Sequence, residues 1–444
     1  MGRPDGATEM AGEGPITLAT PARFRDPLPE AVDVAIIGGG VAGVFTALEA
    51  ARLGLSVVVL EKGRVAGEQS SRNWGWIRTQ GREGAELPLM LEAMRSWERI
   101  AQRADIGFRR AGITYLASSP ERMAVLDGHR ETSRAHGIDT DALSACEVAQ
   151  TFGPAGGWVG GIRTPGDARA EPWRAVPIVA AIAREAGALI REGCAVRALD
   201  VAGGRVTGVL TEDGRVRAER VVLAGGAWSA LLARRHGFTL AQLAVRNTAA
   251  RTGPLPAILE GAASDETLAI RRRDDGGYTL ALRDRNEHFV GPDSFRLMGR
   301  FRAMLRHVGR DTSIRLRGRP DGDPNGWTVP TRWDADAPSP FERARVLDPA
   351  PNAALVRGMA EAFATRFPAL GRPAITHAWA GMIDTTPDEL PLLGPAPGLE
   401  GLIVATGLSG HGFGIGPAIG AVAARLAGAR DPGHDLGAFR VGRA

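Results

Sequence analysis

The chain has 444 residues, of which 44% are hydrophobic and 23% are charged, and its formal net charge is +4. This length allows a large buried core and favours two domains, while the composition excludes a disordered or fibrous protein. Arginines are scattered and often adjoin acids, as where Arg271, Arg272 and Arg273 precede Asp274 and Asp275. We therefore expect no nucleic-acid partner. No apolar run reaches the roughly 18 residues of a spanning helix, so we expect no membrane span.

Cysteine usage and the N-terminal segment both bear on the location of the protein. Cys146 and Cys194 are the only cysteines and lack metal-ligand spacing, so the sequence predicts neither a disulfide framework nor a metal site. This usage is typical of a reducing compartment, and we expect a cytoplasmic location. Residues 1–30 lack the features of a signal peptide and are rich in Gly, Pro and Ala. We expect them to form a loose N-terminal arm.

Residues 34–43 form the most informative motif, Val-Ala-Ile-Ile-Gly-Gly-Gly-Val-Ala-Gly. An apolar strand leads into the glycine pattern and a helix, and Glu61 closes the next strand about 20 residues later. Gly38 allows a tight turn, Gly40 lets a pyrophosphate approach the backbone, and Gly43 lets the helix pack on the strand. Glu61 is placed to bind a ribose hydroxyl. An ordinary strand–helix–strand unit with a glycine-rich turn is the alternative, but the complete pattern favours a dinucleotide site.

Periodicity and turn signals predict the other elements in chain order. Helices are predicted over 43–53, 88–103, 172–186 and 353–367, and Pro177 is expected to move the start of the third by one turn. Strands are predicted over 188–190, 220–229, 278–282 and 401–407, and a hairpin joins 206–210 to 215–216. After the last strand we predict a loop over 408–416 and then a helix ending at Leu426.

The segments typical of dinucleotide binding are separated along the chain. Residues 31–85, 170–235 and 385–430 are expected to form one cofactor-binding domain, after an N-terminal arm of residues 1–30. Residues 86–169 and 236–384 are left for a second domain that binds the substrate. The sequence therefore predicts an α/β protein whose first domain is split in sequence.

Four blocks in this order resemble the D-amino-acid oxidase, glycine oxidase and sarcosine oxidase group of FAD-dependent amine oxidoreductases. The first is the glycine motif with Glu61, the second is residues 70–78, and the third is residues 223–229. The fourth joins residues 379–388 to the glycine-rich residues 407–414. Together the blocks span about residues 31–430, and their order is more specific than any one of them.

The resemblance implies a fold, a cofactor and a set of binding residues. The fold would be a Rossmann-like FAD-binding domain, split in sequence, with an α+β substrate domain built on a mostly antiparallel sheet. In this group a glycine-rich loop at a helix N-terminus stabilises negative charge on the reduced flavin. The residues expected to bind FAD are Gly38, Gly40, Val41, Ala42, Gly43, Glu61, Lys62, Ser70, Ser71, Arg72, Asn73, Trp74, Gly75, Val196, Ala224, Gly225, Trp228, Gly381, Gly407, Gly410, His411, Gly412, Phe413 and Gly414.

Two departures from the family pattern change the expected site. Sarcosine oxidases attach the flavin to a cysteine at the position of Gly381, so FAD is expected to be non-covalent here. Glycine and D-amino-acid oxidases place a carboxylate-binding arginine at the position of Ile383, which is followed here by Asp384. Either Arg78 or Arg72 binds the acid instead, or the substrate has no α-carboxylate. Asp384 then faces a second cationic group, or else it caps a loop.

Three further features remain open from the sequence. Lys62 is the only lysine, whereas sarcosine oxidases use a lysine near the flavin to activate oxygen, so a dehydrogenase with another electron acceptor is favoured without excluding an oxidase. His411 is the best histidine to tune charge near the flavin, or it is an ordinary loop residue. Trp74, Trp76 and Trp379 form either an apolar substrate pocket or plain core.

The implied reaction removes a hydride equivalent from the carbon beside an amine nitrogen, and the resulting imine hydrolyses. Arg78, His411 and Asp384 are the candidate catalytic residues. The substrate is expected to be a secondary amine, an N-methyl amino acid or a D-amino acid, and the electron acceptor O₂ or another molecule. The alternatives are an FAD-dependent 2-hydroxy-acid dehydrogenase and a non-redox dinucleotide-binding protein. Release of ammonia or a primary amine separates amines from hydroxy acids.

Overall fold

A computed structural model describes residues 14–283, 285–304 and 312–443. The strands in chain order are β1 (Ala31–Ile37), β2 (Val57–Glu61), β3 (Trp76–Ile77), β4 (Arg109–Arg110), β5 (Ile113–Ala117), β6 (Asp141–Ser144), β7 (Gly160–Thr164), β8 (Ala168–Arg169), β9 (Leu189–Glu192), β10 (Val196–Ala202), β11 (Arg205–Thr211), β12 (Gly214–Leu223), β13 (Leu243–Thr252), β14 (Ala262–Ser264), β15 (Leu268–Arg272), β16 (Tyr278–Leu282), β17 (Asn286–Phe289), β18 (Thr312–Arg315), β19 (Ile375–Thr385), β20 (Leu392–Pro395) and β21 (Leu402–Thr406). The helices are α1 (Val41–Arg52), α2 (Gln69–Arg72), α3 (Leu87–Arg103), α4 (Pro120–Ala135), α5 (Ala145–Phe152), α6 (Pro172–Glu185), α7 (Ser229–Arg235), α8 (Pro292–Arg296), α9 (Pro340–Arg343), α10 (Ala353–Arg366) and α11 (Gly412–Ala427).

The first sheet has eight strands and is parallel at its centre. Its order is β10-β11-β12-β1-β2-β9, and β21 pairs with β12 and with β20. β1 runs parallel to β2 and β12, and β12 runs parallel to β21. The predicted hairpin is the antiparallel pair β11 and β12, which turns between Thr211 and Gly214. Strands of this kind are covered on both faces, which explains their continuous apolar sequences.

The helices on one face of the first sheet pack unusually closely. α1 contacts α6 and α11, and α11 contacts α3. A Cβ atom added to Gly420 would lie 2.6 Å from the Cβ of Phe45, and one added to Gly416 would lie 2.7 Å from Cγ2 of Val41. Only glycine at these positions of α11 therefore allows α1 to approach so closely. This contact supports the start of α1.

The second sheet has ten strands and is mostly antiparallel. Its order is β18-β17-β13-β16-β15-β14-β5-β7-β6, with β19 also paired to β13. Among the strand pairs described in this sheet, only β14 with β5 and β17 with β18 are parallel. Its apolar side packs on α10 through Met359 and Phe363, which are fully buried. A small sheet of β3, β8 and β4 completes the described strands. The predicted combination of an α/β unit with a mostly antiparallel sheet is confirmed.

Several predicted boundaries are wrong, each for a tertiary reason. α11 begins at Gly412, inside the predicted loop of 408–416, because its glycines pack against neighbouring side chains such as Leu408. The predicted start of α6 at Pro172 is confirmed, and only the shift expected from Pro177 is absent, because most residues of the helix are buried and their packing outweighs one lost hydrogen bond. The predicted strand over 220–229 ends at Leu223.

The expected loose arm is also wrong for its described part. Ile16 and Phe24 are buried, at 7% and 4% exposure, and belong to the core beneath α1. The backbone N–H of Ile16 donates to Oγ of Ser71 at 3.0 Å. Residues 1–13 lie outside the described residues. The strands of the first sheet all fall in 31–61, 189–223 and 392–406, and α3, from the segment predicted for the substrate domain, packs on α11.

Candidate active site

A cavity of about 390 Å³ opens at the carboxyl ends of the parallel strands. Its walls include Ile37, Leu60, Leu223 and Thr406, at or next to the ends of β1, β2, β12 and β21. From the second sheet it is lined by parts of β5, β13 and β19. In open α/β sheets this edge is where ligands bind, because loops and helix N-termini converge there.

The glycine turn between β1 and α1 forms one end of the cavity. Gly38 has a φ of +106°, and a Cβ added there would lie 2.5 Å from the carbonyl oxygen of Ala224. A Cβ added to Gly43 would lie 1.9 Å from the carbonyl oxygen of Gly38. Gly40 is the N-cap residue of α1 and supplies no side-chain cap, so the N–H groups of this first turn, apart from that of Val41, which donates to Oγ of Ser70, face the ligand side of the helix start. The backbone takes the shape that the glycine spacing predicts.

Glu61 lies at the end of β2 and holds two loops in place. Its carboxylate accepts hydrogen bonds from the backbone N–H groups of Gly39 and Gly63, both at 2.7 Å. Burial raises the pKa of Glu61 to about 7, against the opposing effect of the neighbouring Lys62. The carboxylate lines the cavity beside the glycine turn, which is the position that a ribose-binding acid requires.

Lys62 is held on the same side of the cavity by a cluster of partners. Its Nζ lies 2.7 Å from Oε1 of Glu68 and 4.2 Å from the ring centre of Trp228. The indole N–H of Trp228 also donates to Glu68, at 3.0 Å. The only lysine of the chain is thus bound next to the ribose acid and forms part of the wall there.

The segment after Lys62 supports the glycine turn and fixes Arg72. Oγ of Ser70 accepts the N–H of Val41 at 2.9 Å. The guanidinium of Arg72 donates to Asp348 at 2.6 Å and to the carbonyl oxygens of Ala380 and Ile16, both at 3.1 Å. Because these donors are occupied, Arg72 is a poor candidate for holding a substrate carboxylate.

The third wall is the stretch of β19 from Gly381 to Asp384. A Cβ added to Gly381 would lie 1.7 Å from Oε1 of Gln69, and that buried oxygen has no hydrogen-bond partner among the described residues. Ile383 lines the cavity and approaches Gly410. Trp74 and Trp76 line the cavity too, whereas Trp379 is buried outside its lining and donates its indole N–H to the carbonyl of Arg72 at 2.8 Å.

Asp384 is engaged by the loop that follows β21. Its Oδ2 accepts the N–H groups of Gly407 at 2.8 Å and Leu408 at 3.2 Å. The carboxylate is buried, and burial raises its pKa to about 6. These bonds match the loop-capping alternative better than a role facing a cationic substrate group.

The N-terminus of α11 reaches the cavity through His411, Gly412, Phe413 and Gly414. His411 is the N-cap residue, and no side chain caps the helix. Its Nδ1 lies 3.4 Å from Oε1 of Glu86, which is almost fully buried. A helix of this length presents backbone N–H groups and partial positive charge at this end. This wall is suited to an acceptor that gains negative charge.

A group of polar residues on the second-sheet side of the cavity is only partly visible in the sequence. Arg78 and Arg283 lie on the ring of Tyr115, with guanidinium carbons 5.6 and 5.3 Å from its centre. Arg82 lines the same cavity, as do Tyr115 and Arg283. The spacing of Arg78 and Arg82 was visible in the sequence, but nothing there linked them to Arg283, which is distant in the chain.

Most predicted site residues therefore meet in one cavity. Four of the predicted residues do not line the cavity, namely Gly43, Ser71, Gly75 and Gly407. Val196 contributes from the start of β10, and Asn73 donates its side-chain amide to the carbonyls of Gln69 and Ser70. The predicted residues in the lining are Gly38, Gly40, Val41, Ala42, Glu61, Lys62, Ser70, Arg72, Asn73, Trp74, Arg78, Val196, Ala224, Gly225, Trp228, Gly381, Asp384, Gly410, His411, Gly412, Phe413 and Gly414.

These residues fit a bound dinucleotide with an extended aromatic end. The cavity joins the start of α1 to the start of α11, and neither helix is capped by the side chain of its own N-cap residue. Two buried polar atoms that have no hydrogen-bond partner in the described part of the chain, Oε1 of Gln69 and Nε1 of Trp76, belong to residues in its wall. Within the described residues no group of three or more His, Cys, Asp or Glu side chains could hold a metal ion. None of the helices described has the length and apolarity needed to cross a bilayer.

Fold and cavity together define an α/β protein with a cavity between two sheets whose walls suit a dinucleotide. The chain belongs to the DAO family of FAD-dependent oxidoreductases, whose sequence profile matches residues 33–426. Its cofactor is FAD.

Individual relatives agree with this assignment. Glycine oxidase of Geobacillus kaustophilus is 26% identical over 93% of this chain and 97% of its own length. The 4-methylaminobutanoate oxidase (formaldehyde-forming) of Paenarthrobacter nicotinovorans is 26% identical over 95% of this chain, which spans only 47% of that relative. The solved L-amino acid deaminase of Proteus myxofaciens is 29% identical, with a TM-score of 0.87 over 95% of this chain and 96% of that one.

Proposed function

We propose that the protein oxidises the C–N bond of an amino acid or a related acidic amine, and that the product is an imine that hydrolyses. The observation that carries the proposal is the group of Arg78, Arg283 and Tyr115, which shares one cavity with the N-terminus of α11. A carboxylate held by arginines near the flavin would orient the neighbouring C–H bond. The relatives are named as amine and amino-acid oxidases, dehydrogenases and deaminases, which supports this chemistry.

FAD would extend from the glycine turn to the α11 loop. The residues around Gly38, Gly40 and Glu61 would hold the ADP half, and Gly381 with residues 410–414 would hold the ring. Bound flavin supplies a two-electron acceptor. We expect it to be non-covalent, because Gly381 stands where sarcosine oxidases carry their tethering cysteine and neither cysteine of this chain lines the cavity.

Each candidate catalytic residue has a distinct proposed role. Arg78 would bind the substrate carboxylate, since Arg72 is occupied by Asp348 and two carbonyls. His411 and the N-terminal N–H groups of α11 would stabilise the negative charge of the reduced ring. Asp384 would act as a positioning residue, because its carboxylate bonds the loop leading to His411.

The electron acceptor is proposed to be a molecule other than O₂. Lys62 is held by Glu68 and Trp228 beside the ribose acid, on the ADP side of the proposed cofactor position. The chain therefore offers no lysine for oxygen activation at the ring. A cytoplasmic location is also proposed, because Cys146 and Cys194 are both free. We further propose the domain division into 31–85, 170–235 and 385–430 against 86–169 and 236–384.

Anaerobic bleaching of the flavin absorbance tests the proposal. The purified holoenzyme is mixed with glycine, D- and L-amino acids, N-methyl amino acids and matched 2-hydroxy acids, and air is then readmitted. Bleaching by amines with release of ammonia or a primary amine is expected, followed by slow recovery in air. If only hydroxy acids bleach the flavin, amine oxidation is wrong and the protein is a 2-hydroxy-acid dehydrogenase. Rapid recovery in air would make the enzyme an oxidase.

A further inference from the structure

Arg82 is a buried cation whose hydrogen-bonding capacity is largely unused. The residue is 7% exposed and lines the cavity. Its Nε and Nη1 atoms are buried and have no hydrogen-bond partner among the described residues. The nearest carboxylate oxygen, Oε2 of Glu86, lies 3.9 Å from Nη1, which is too far for a hydrogen bond. A desolvated guanidinium in this state is prepared to bind an anion.

Two further arginines of the cavity, Arg78 and Arg283, form a separate group around Tyr115. Arg78 and Arg283 lie on its ring, and Arg78 also donates to the carbonyl of Gln80. Gly81, the residue before Arg82, lies against the ring of Tyr115, since a Cβ added there would lie 2.9 Å from Cε2 of Tyr115. Arg82 instead lies beside Glu86, which in turn contacts His411. Two cationic positions therefore line one cavity, one on Tyr115 and one at Arg82.

The described acids next to Arg78 and Arg82 are engaged by other groups as well. The carboxylate of Asp167 accepts hydrogen bonds from the N–H and the hydroxyl of Thr79 and from the N–H of Gln80. Burial raises the pKa of Asp167 to about 6. Glu86 is shared between Arg82 and His411. The pKa of His129 is lowered by burial and by the charges of Arg122, Arg283 and Arg78, so this imidazole adds to the evidence for a positive local potential. A positive cavity of this kind concentrates anionic ligands.

We propose that Arg82 forms a second anion-binding position and that the preferred substrates are amino acids carrying a second carboxylate. The α-carboxylate binds at Arg78 and Arg283, and the second carboxylate binds the guanidinium of Arg82, which lines the cavity and has only a 3.9 Å ion pair with Glu86 among the described residues. This inference rests on the proposed function, because it assumes that the cavity holds an amino acid. Beyond that function, it specifies that the side chain or the nitrogen substituent of the preferred substrate carries a carboxylate.

Unreactive acids of matched length test the proposal without turnover. Malonate, succinate and glutarate are titrated into the FAD-loaded enzyme against propionate, butyrate and valerate, and binding is read from the visible spectrum of the flavin. At least one diacid is expected to bind more than about tenfold more tightly than the monoacid of the same length, because it gains a charge-assisted pair. Equal dissociation constants for all three pairs would overturn the proposal.

Substitutions then assign the preference to Arg82. In Arg82→Gln the ratio of monoacid to diacid dissociation constants should fall to about one, and in Arg82→Lys it should be partly retained. Arg95→Gln removes an exposed arginine on α3 and should keep the full ratio. The unchanged flavin spectrum without ligand reports that each variant is folded. A wild-type ratio that persists in Arg82→Gln would place the second anion elsewhere and overturn the assignment.

Two readouts separate this inference from the proposed function. If monocarboxylic amino acids bleach the flavin as efficiently as aspartate, glutamate or N-carboxymethyl amino acids, the second anion position is wrong and amine oxidation stands. If no amine bleaches the flavin while diacids still bind through Arg82, amine oxidation is wrong. Preferential bleaching by amino dicarboxylates, lost in Arg82→Gln, supports both.

Discussion

Oδ2 of Asp384, near the end of β19 in the second sheet, lies 2.8 Å from the backbone nitrogen of Gly407, which follows β21 of the first sheet. The same oxygen accepts the N–H of Leu408. One buried carboxylate thus ties the two sheets together where the loop toward His411 begins. The position of the α11 N-terminus in the cavity depends on this contact.

Replacing Asp384 with Asn should change how stability varies with pH. The folded pKa of Asp384 is about 6, raised by burial from 3.8. The folded state therefore binds the proton more tightly, and the stability that protonation contributes is complete below pH 3.8 and lost as the pH rises through about 6. Between those limits the wild type should lose about 3 kcal/mol of unfolding free energy relative to Asp384→Asn. Urea unfolding of both proteins across this range measures the difference, and parallel pH profiles would contradict the burial of this charge.

Gly40→Val should abolish flavin binding. The new side chain would extend from a Cβ that already lies 3.1 Å from Oγ of Ser70, into the space beside the open start of α1. Gly128→Ala is the matched control, because a Cβ at this helical glycine contacts nothing within 4 Å. The purified control should keep its yellow colour and gain up to about 1 kcal/mol of stability. A folded Gly40→Val protein with full flavin content would refute the cofactor position.

Arg78→Ala should weaken acidic substrates far more than neutral amines. Loss of a charge-assisted hydrogen bond predicts a rise in KM of about 10- to 100-fold for amino acids. Steady-state kinetics with an amino acid and with its decarboxylated amine measure the contrast. Equal losses for both would remove Arg78 from carboxylate binding.

Arg72→Ala provides the contrast to Arg78→Ala. Its buried guanidinium holds Asp348 and two backbone carbonyls, so the variant should lose about 2–4 kcal/mol of stability. The relative KM values of acidic and neutral substrates should not change. Thermal unfolding measures the loss of stability. Steady-state kinetics with the same amino acid and its decarboxylated amine measure the relative KM values. A selective loss of acidic substrates would return Arg72 to the substrate site.

Gly420→Ala should destabilise the protein although it adds only one methyl group. That group would lie 2.6 Å from both Cβ of Phe45 and the backbone nitrogen of Thr46. Helices α1 and α11 would have to move apart, at a cost of about 1–3 kcal/mol in unfolding free energy. Denaturant unfolding checks this value. Unchanged stability would mean that the two helices are less closely packed than described.

Much of the cofactor side followed from local sequence. The glycine spacing predicted the turn between β1 and α1, and the structure gives Gly38 the positive φ that the turn requires. The boundary of α11 was missed because glycines at 412, 414 and 416 disfavour helices in isolation. In the folded protein the same glycines let the helix pack against Leu408, Met90 and Val41, and packing prevails over propensity.

The substrate side was less predictable. Arg78 was named because it ends the flavin-packing block of residues 70–78, but Arg72, in the same block, was equally eligible until its contacts with Asp348 and Ala380 were known. Tyr115 and Arg283 carry no local signal of a site. Whether an arginine is free for a ligand depends on acceptors supplied by distant residues, which spacing along the chain does not encode.

The sequence by itself determined the dinucleotide motif and the α/β fold, because these depend on backbone requirements of glycine and on the alternation of apolar segments, and the order of four motif blocks indicated the family by resemblance. Tertiary structure decided which charged groups meet in the cavity. It tied Asp384 to Gly407, bound Lys62 to Glu68, and left Nε and Nη1 of Arg82 without a hydrogen-bond acceptor among the described residues. The physical reason is that hydrogen bonding and desolvation of a side chain are set by its neighbours in space, and those neighbours come from strands of two different sheets.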